Sequence, residues 1–249
     1  MDNRSDPAIA AWLALLLFGV YWLSFSGQLY SQDSMAMFSV TESFVKRGEF
    51  NTDQLWTLFK ARNEITADGE SYAKYGYGMS FFAVPLYSLA FYLPFGLGMT
   101  QTTLLTSSMV IALTGALVFL SARRLQFSRR TGIVAALLFG LATPAWVYAK
   151  QFWSEPYSLF TLFAAFYLLQ RFHAGLQSRD ALLAGIMLGF AIATRVTNAA
   201  LVPIFAWYGF RGILNETLEG RRMRVRHGLV ALALAVGMVG LWVAGCDAV

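Results

Sequence analysis

Charge is what this chain has least of. Only 13% of its 249 residues are Asp, Glu, Lys or Arg, and 57% are hydrophobic. A soluble domain carries about a quarter charged residues. That shortfall, together with several long uncharged apolar runs, excludes an ordinary soluble domain and leaves a polytopic helical membrane protein. Cysteine is almost missing as well. Cys246 stands alone, which excludes a disulfide framework and a CxxC metal site. The two histidines, His173 and His227, lie far apart in basic loops and do not read as a metal pair. There is no Walker loop, no GxSxG, no HExxH and no dinucleotide fingerprint. Internal repeats and low-complexity stretches are absent too. The opening residues MDNRSD carry one arginine against two aspartates, and no small-x-small cleavage pattern follows. The run behind them therefore reads as a retained span, not a secretory signal. The net charge of +5 does not call for nucleic acid, because the arginines cluster between apolar runs as loop anchors do.

What is present is a series of apolar segments. Pro7–Phe25, Thr102–Ser121, Gly132–Ala149, Tyr157–Leu169 and Gly228–Ala244 each read as a span. Ala181–Phe210 is about 30 residues long and is interrupted by Arg195. As one helix it would run about 45 Å against a hydrocarbon core of about 30 Å. Two short spans meeting at Arg195 and Asn198 fit better, and they place the arginine at a membrane face rather than at the costly bilayer centre. Gly185 and Gly189 form a GxxxG pair suited to close helix packing. Tyr77–Phe95 is apolar but holds Pro85 and Pro94, so it reads as a span, an interfacial segment or a re-entrant one. Arg221–His227 reads as a basic anchor that also touches anionic lipid.

Two topologies follow. With the N-terminus inside and 77–95 not crossing, Asp33, Lys74, Lys150, Glu155 and Arg195 all reach one external face. With the N-terminus outside and 77–95 crossing, more basic residues lie inside, since Lys46, Arg47, Lys60, Arg62 and Lys74 move in and only Arg4 moves out. The membrane would then separate Asp33 and Lys74 from Glu155 and Arg195. The long loop 28–75 is itself net acidic, and long loops obey the charge rule weakly.

Several loop tips carry groups able to do chemistry. Gln28–Gly48 follows the first span and reads as an amphipathic helix, with Asp33 or Ser34 as the cap, Lys46 and Arg47 in the last turn, and Gly48 at the stop. Asp33 is either a plain helix cap or a carboxylate held at the lipid–water boundary. In Tyr72-Ala-Lys74-Tyr75-Gly76-Tyr77-Gly78 the lysine suits a phosphate, the glycines allow close backbone approach, and Tyr72 and Tyr75 suit a sugar face or a membrane interface. The loop from Ala142 to Pro156 holds Lys150 and Glu155 among aromatics that include Tyr148 and Trp153, and Glu155-Pro156 reads as a helix start. Arg195 sits in Thr194-Arg195-Val-Thr197-Asn198 at the turn between two spans. Carboxylates and cations gathered on one face suit transfer of a sugar from a lipid phosphate, with a carboxylate as general base and cations on the departing phosphate. Two carboxylates are too few to argue for bound Mg²⁺ or Mn²⁺, so no metal and no cofactor is expected.

The ordered set SQDSMAMFSVTESFVKRGEF, YAKYGYGMSFFAVPLY, RRLQFSRR, GLATPAWVYAKQFWSEPYS and GFAIATRVTNAALVP resembles the GT-C superfamily of polyprenyl-phosphate-dependent glycosyltransferases, among them the protein O-mannosyltransferases and the lipid A aminoarabinose transferases. It spreads over roughly residues 10 to 205. The resemblance implies an all-α polytopic bundle of about seven spans with interfacial helices in an external loop, 28–75, and with 77–95 interfacial or re-entrant. It selects the N-inside topology. By the same resemblance, Asp33 is the catalytic base, Glu155 the second acid, and Lys74 and Arg195 donor-phosphate contacts; Lys150, a further loop-tip cation, is grouped with them. Tyr72, Tyr75, Tyr148 and Trp153 hold sugar or lipid. The implied activity is a multi-pass, cytoplasmic-membrane hexosyl or pentosyl transferase that inverts. It would act at the external face on a polyprenyl-phosphate sugar and a glycan, lipid or protein acceptor. Family members continue with further spans and often an external domain, so residues 1–249 are expected to form the N-terminal module. The residues alone also allow a transporter or flippase-like protein, or a non-catalytic membrane subunit.

Overall fold

The computed structural model describes residues 5–55, 64–65, 71–74, 76–93, 96, 98–175 and 177–214. The expected span Gly228–Ala244, the basic run Arg221–His227, Cys246 and Tyr75 lie outside the described residues. What is described is a helical bundle. Its helices are α1 (Asp6–Leu23), α2 (Gln32–Arg47), α3 (Gly78–Tyr92), α4 (Met99–Arg124), α5 (Arg129–Ala142), α6 (Ala145–Tyr148), α7 (Ser154–Gly175), α8 (Ser178–Thr194) and α9 (Val202–Leu214). Two of them, α1 and α4, are long and apolar enough to cross a membrane. The expectation of about seven spans is not met by that measure among the described residues.

α4 is the central helix and packs against α1, α3, α5 and α7. Its buried face carries many small residues, Thr103, Thr106, Ser107, Ser108, Thr114 and Gly115, beside Leu104, Val110, Ile111 and Phe119. Small side chains let helix backbones approach closely where lipid supplies no hydrophobic drive. Their hydroxyls also bond across the bundle. Ser108 Oγ donates to Ala149 O at 2.7 Å, and Ser107 Oγ meets the Tyr157 hydroxyl at 3.1 Å. α1 shows the opposite surface, with Trp12, Leu15, Leu16, Trp22 and Leu23 exposed. On a spanning helix that apolar face is lipid-facing surface.

Long-range contacts fix which helix ends lie together. Asp6, at the start of α1, accepts from Arg123 Nε at 2.9 Å and from Arg129 Nε at 2.8 Å, joining it to the end of α4 and the start of α5. Arg171, near the end of α7, pairs with Asp180 in the first turn of α8 at 3.1 Å. At the other end, Gln101 Nε2 in α4 donates to Gly27 O just after α1 at 3.3 Å, and the Tyr21 hydroxyl donates to Gly140 O in α5 at 3.0 Å. The connections 24–31, 143–153 and 195–201 and the start of α4 therefore share one end of the bundle.

Two expectations change in detail, at Gly132–Ala149 and at the α2 cap. Gly132–Ala149 is not one helix. α5 stops at Ala142 because Thr143, ahead of Pro144, is extended (φ −124°, ψ 170°), and a residue before proline is pushed out of the helical region. Thr143 Oγ1 then accepts the Ala145 N–H at 3.2 Å, which starts the short α6. In the loop 28–75, α2 is the α-helix among the described residues, and residues 56–63 and 66–70 lie outside them. Beyond α2 the chain forms a 3₁₀ turn at Asp53–Leu55 and an antiparallel ribbon, β1 (Glu64–Ile65) with β2 (Ser71–Tyr72), in the register Glu64 to Tyr72 and Ile65 to Ser71. Asp53 Oδ1 accepts the Ser71 N–H at 2.7 Å and Thr52 N–H donates to Ser71 O at 2.7 Å, which draws this segment into strand pairing. The second change is the α2 cap, which is Ser31, whose Oγ accepts the Ser34 N–H at 3.1 Å. Asp33 and Ser34 lie inside the first turn.

Other expectations hold. Gly48 closes α2 in the left-handed region at φ 76°, with its N–H on Phe44 O at 3.0 Å. Ala181–Phe210 divides as its length requires: α8 ends at Thr194, Arg195 is extended, and a 3₁₀ turn (Val196–Leu201) leads into α9. Gly185 and Gly189 are buried on α8, which packs along α7. α3 is a 15-residue helix, about 22 Å long, that packs on α2 and α4.

Candidate active site

Four chain segments meet at the shared end of the bundle, each held by a named contact. The first is the start of α2. Asp33 is half-buried in its first turn, where the helix dipole favours a carboxylate. The second is the approach to α7. Trp153 Nε1 donates to Ser31 Oγ at 3.2 Å, so this segment is bonded directly to the α2 cap. Glu155 follows two residues later in the first turn of α7.

The third segment is the break after α8. Arg195 Nη1 donates to Glu155 Oε1 at 2.6 Å, and both side chains remain about 40% exposed (43% and 37%). The break is held from below by Asn198, whose Nδ2 donates to Ala191 O at 2.8 Å and to Ser158 Oγ at 3.0 Å. That amide adds a second hydrogen bond to Ala191 O, which already accepts the Arg195 N–H, and ties the turn to α7.

The fourth segment is Lys74–Gly78. A Cβ on Gly76 would lie 2.1 Å from Ala193 O, and one on Gly78 would lie 2.5 Å from Thr194 Oγ1 and 2.6 Å from Thr194 N. The glycines therefore let this stretch run directly against the end of α8. The close backbone approach that these glycines allow is used for packing against α8. Lys74 is exposed, two residues before Gly76.

Below these tips lies one apolar cluster, Met37, Met79, Ala83, Leu104, Val110, Phe152 and Tyr157, drawn from α2, α3, α4 and the α7 region. It gives the polar groups a common, rigid floor. The remaining expected site residues are placed as follows. Lys150 Nζ sits 5.9 Å from the Trp146 ring centroid on its own segment. Tyr148 and Trp153 form an edge-to-face pair at 5.7 Å. Tyr72 is half-buried in β2 and pairs with Glu64 and Asn51. Ser31 was not singled out in the sequence, where three cap-type residues within four positions hide which one caps.

Chemically, the arrangement places a carboxyl group in the first turn of α2, a carboxylate–guanidinium pair and an exposed lysine at one end of an apolar bundle, among aromatic rings. Groups of this kind can accept a proton from a hydroxyl and receive a phosphate.

A sequence model of the family described as dolichyl-phosphate-mannose-protein mannosyltransferase matches residues 84–242. The match contains Lys150, Trp153, Glu155 and Arg195 and begins after Asp33 and Lys74. No curated protein and no solved structure matches the chain. The family match covers more than half of the chain and agrees with the helical bundle and its apolar spans, so the chain belongs to the dolichyl-phosphate-mannose-protein mannosyltransferase family and is a membrane-integral glycosyltransferase of the GT-C type.

Proposed function

We propose that this protein moves a sugar from a polyprenyl-phosphate donor to an acceptor hydroxyl at the external face of the cytoplasmic membrane, with inversion at the sugar carbon. The observation that carries the reading is the meeting of the four segments: Ser31 with Trp153, Glu155 with Arg195, and Gly76–Gly78 with Ala193–Thr194. It supports the shared-face topology over the one that separates Asp33 from Glu155. Charge supports the side. The far end of the bundle carries Arg123, Arg124, Arg129, Arg130, Arg171, Arg179 and Arg211 against Asp6 and Asp180. At the site end, Lys46, Arg47, Lys74, Lys150 and Arg195 are offset by Asp33, Glu42, Glu49, Asp53 and Glu155 among the described residues. The positive-inside rule puts the arginine-rich end in the cytoplasm. α5, α7, α8 and α9 join α1 and α4 as spans in this reading, and α3 lies at the external interface.

In the proposed step the acceptor oxygen attacks the anomeric carbon, the carbon–oxygen bond to phosphate breaks, and Asp33 takes the acceptor proton. A single displacement from the face opposite the phosphate inverts the centre. Lys74 and Arg195 receive the charge that grows on the departing lipid phosphate, with Lys150 as a further cation, and Glu155 orients Arg195. Tyr72, Tyr75, Tyr148 and Trp153 border the sugar and the first isoprene units. A transport path would need its charges within the spans, whereas this set lies at helix ends.

Asp33→Asn is expected to abolish release of labelled sugar from polyprenyl-phosphate mannose while leaving protein level unchanged. Full activity in that variant would remove Asp33 as the base. Single cysteines at 33 and 155 in a Cys246→Ser background should both react with an impermeant maleimide on intact cells. Labelling on opposite sides would refute the shared site.

A further inference from the structure

The indole N–H of Trp153 has a partner that a sugar platform does not require. A serine hydroxyl offers one donor and two acceptor lone pairs. At Ser31, two N–H groups converge on the oxygen: the Ser34 backbone N–H at 3.1 Å and Trp153 Nε1–H at 3.2 Å. Both lone pairs are then used, and the Ser31 proton is left to donate to Ser34 Oγ at 2.8 Å. The cap is saturated, and one of its three bonds comes from a segment 122 residues away. Asp33 lies between Ser31 and Ser34, inside the turn that these bonds close. Glu155 lies two residues beyond Trp153 and is held in turn by Arg195. The far side of the indole is braced by Tyr148, edge to face at 5.7 Å.

We propose that Trp153 and Ser31 are positioning residues, forming a strut that holds the Asp33 carboxylate in register with Glu155 across the donor site. The proposal rests on the reading of Asp33 as base for its catalytic purpose, and on geometry alone for the strut. A one-ångström error in placing a reacting group costs on the order of a hundredfold in rate. The strut sets that placement for two groups carried by different parts of the chain.

The test is a double-mutant cycle with labelled polyprenyl-phosphate mannose as donor. Trp153→Phe keeps an aromatic face for stacking and removes only the N–H. It is expected to lower kcat about ten- to a hundredfold with KM for the donor unchanged. Ser31→Ala should do the same, the double variant should fall no further than either single one, and Ser31→Thr should retain activity. A second arm needs no substrate. In a Cys246→Ser background, cysteines at 33 and 155 are joined with methanethiosulfonate cross-linkers of graded length. One length should dominate, and Trp153→Phe should broaden the preference. Wild-type kcat in Trp153→Phe, additive losses in the double variant, or a cross-linking profile untouched by Trp153→Phe would each overturn the strut. If Asp33→Asn is inactive while Trp153→Phe is normal, only the strut fails. If Asp33→Asn is fully active, the base reading fails and the strut loses its catalytic purpose.

Discussion

Replacing Gly76 with alanine adds one methyl group at the tightest joint of the site. The new Cβ would stand 2.1 Å from Ala193 O and 3.0 Å from both Ala193 C and Thr194 O. Unbonded heavy atoms settle at about 3.5 Å or more, so the Lys74–Gly78 stretch and the end of α8 must part by about 1 Å. The obstructing atoms are backbone at the end of a buried helix, so no rotamer change relieves the contact. Overpacking of this kind costs about 1–3 kcal/mol, which in a chain of this size lowers the unfolding temperature by roughly 3–10 °C. The effect on turnover is expected to be larger. Arg195 directly follows Thr194, and Lys74 lies two residues before Gly76, so a shift of about 1 Å separates the two proposed phosphate contacts and costs on the order of a hundredfold in kcat/KM. Purified protein in detergent, followed by thermal unfolding and by turnover of polyprenyl-phosphate mannose per folded molecule, reads both effects. Gly19→Ala is the control. It meets nothing within 4 Å in α1 and should be neutral or slightly stabilising, because alanine loses less chain entropy in a helix. A Gly76→Ala protein that unfolds and turns over like wild type would refute the claim that this joint sets the spacing of Lys74 and Arg195.

Two further substitutions separate folding from chemistry. Asp6→Asn takes away the carboxylate that pairs with buried Arg123, which costs about 3–5 kcal/mol. It should sharply lower the unfolding temperature and membrane yield while leaving donor KM per folded molecule unchanged. A shift below about 2 °C would show that the cluster does not lock α1 to the α4–α5 turn. Glu155→Gln breaks a pair that is about 40% exposed on both sides and worth about 0–1 kcal/mol to stability. Its unfolding temperature should therefore stay within about 3 °C of wild type while turnover falls, and a large thermal loss would make the pair structural instead.

What the sequence made legible is what local composition and length control. The division of 181–210 at Arg195 follows from a run too long for one span. The end of α2 at Gly48 follows from the left-handed cap. Glu155-Pro156 opens α7 because proline suits a first turn and the carboxylate suits its dipole. The break at Thr143 was written in the following proline but was masked by apolar residues on both sides. Features set by distant partners were not legible. Ser31, Asp33 and Ser34 are all good caps, and the Trp153 indole bonds to Ser31. Gly76 and Gly78 advertise freedom without saying for what, and their use appears only when the end of α8 arrives against them. Asp6 looks like a flanking charge until Arg123 and Arg129 close around it.

The same distinction bears on how the site is divided. The family match starts at residue 84, so it contains Glu155 and Arg195 but neither Asp33 nor Lys74. Those two enter the site through two joints, the Ser31–Trp153 bond and the Gly76–Gly78 contact with Ala193–Thr194, and each joint has one side within the matched region and one outside it. If the first stretch supplies the base and the matched region supplies the phosphate contact, the two halves should fail differently. Asp33→Asn removes a group that acts as the bond forms, so kcat should fall while donor KM holds. Arg195→Ala removes a group that already meets the ground-state phosphate, so donor KM should rise as well. Equal effects of the two substitutions on kcat and KM would mean that they disturb one shared structure, and the assignment of a base to the first stretch and a phosphate contact to the second would fall.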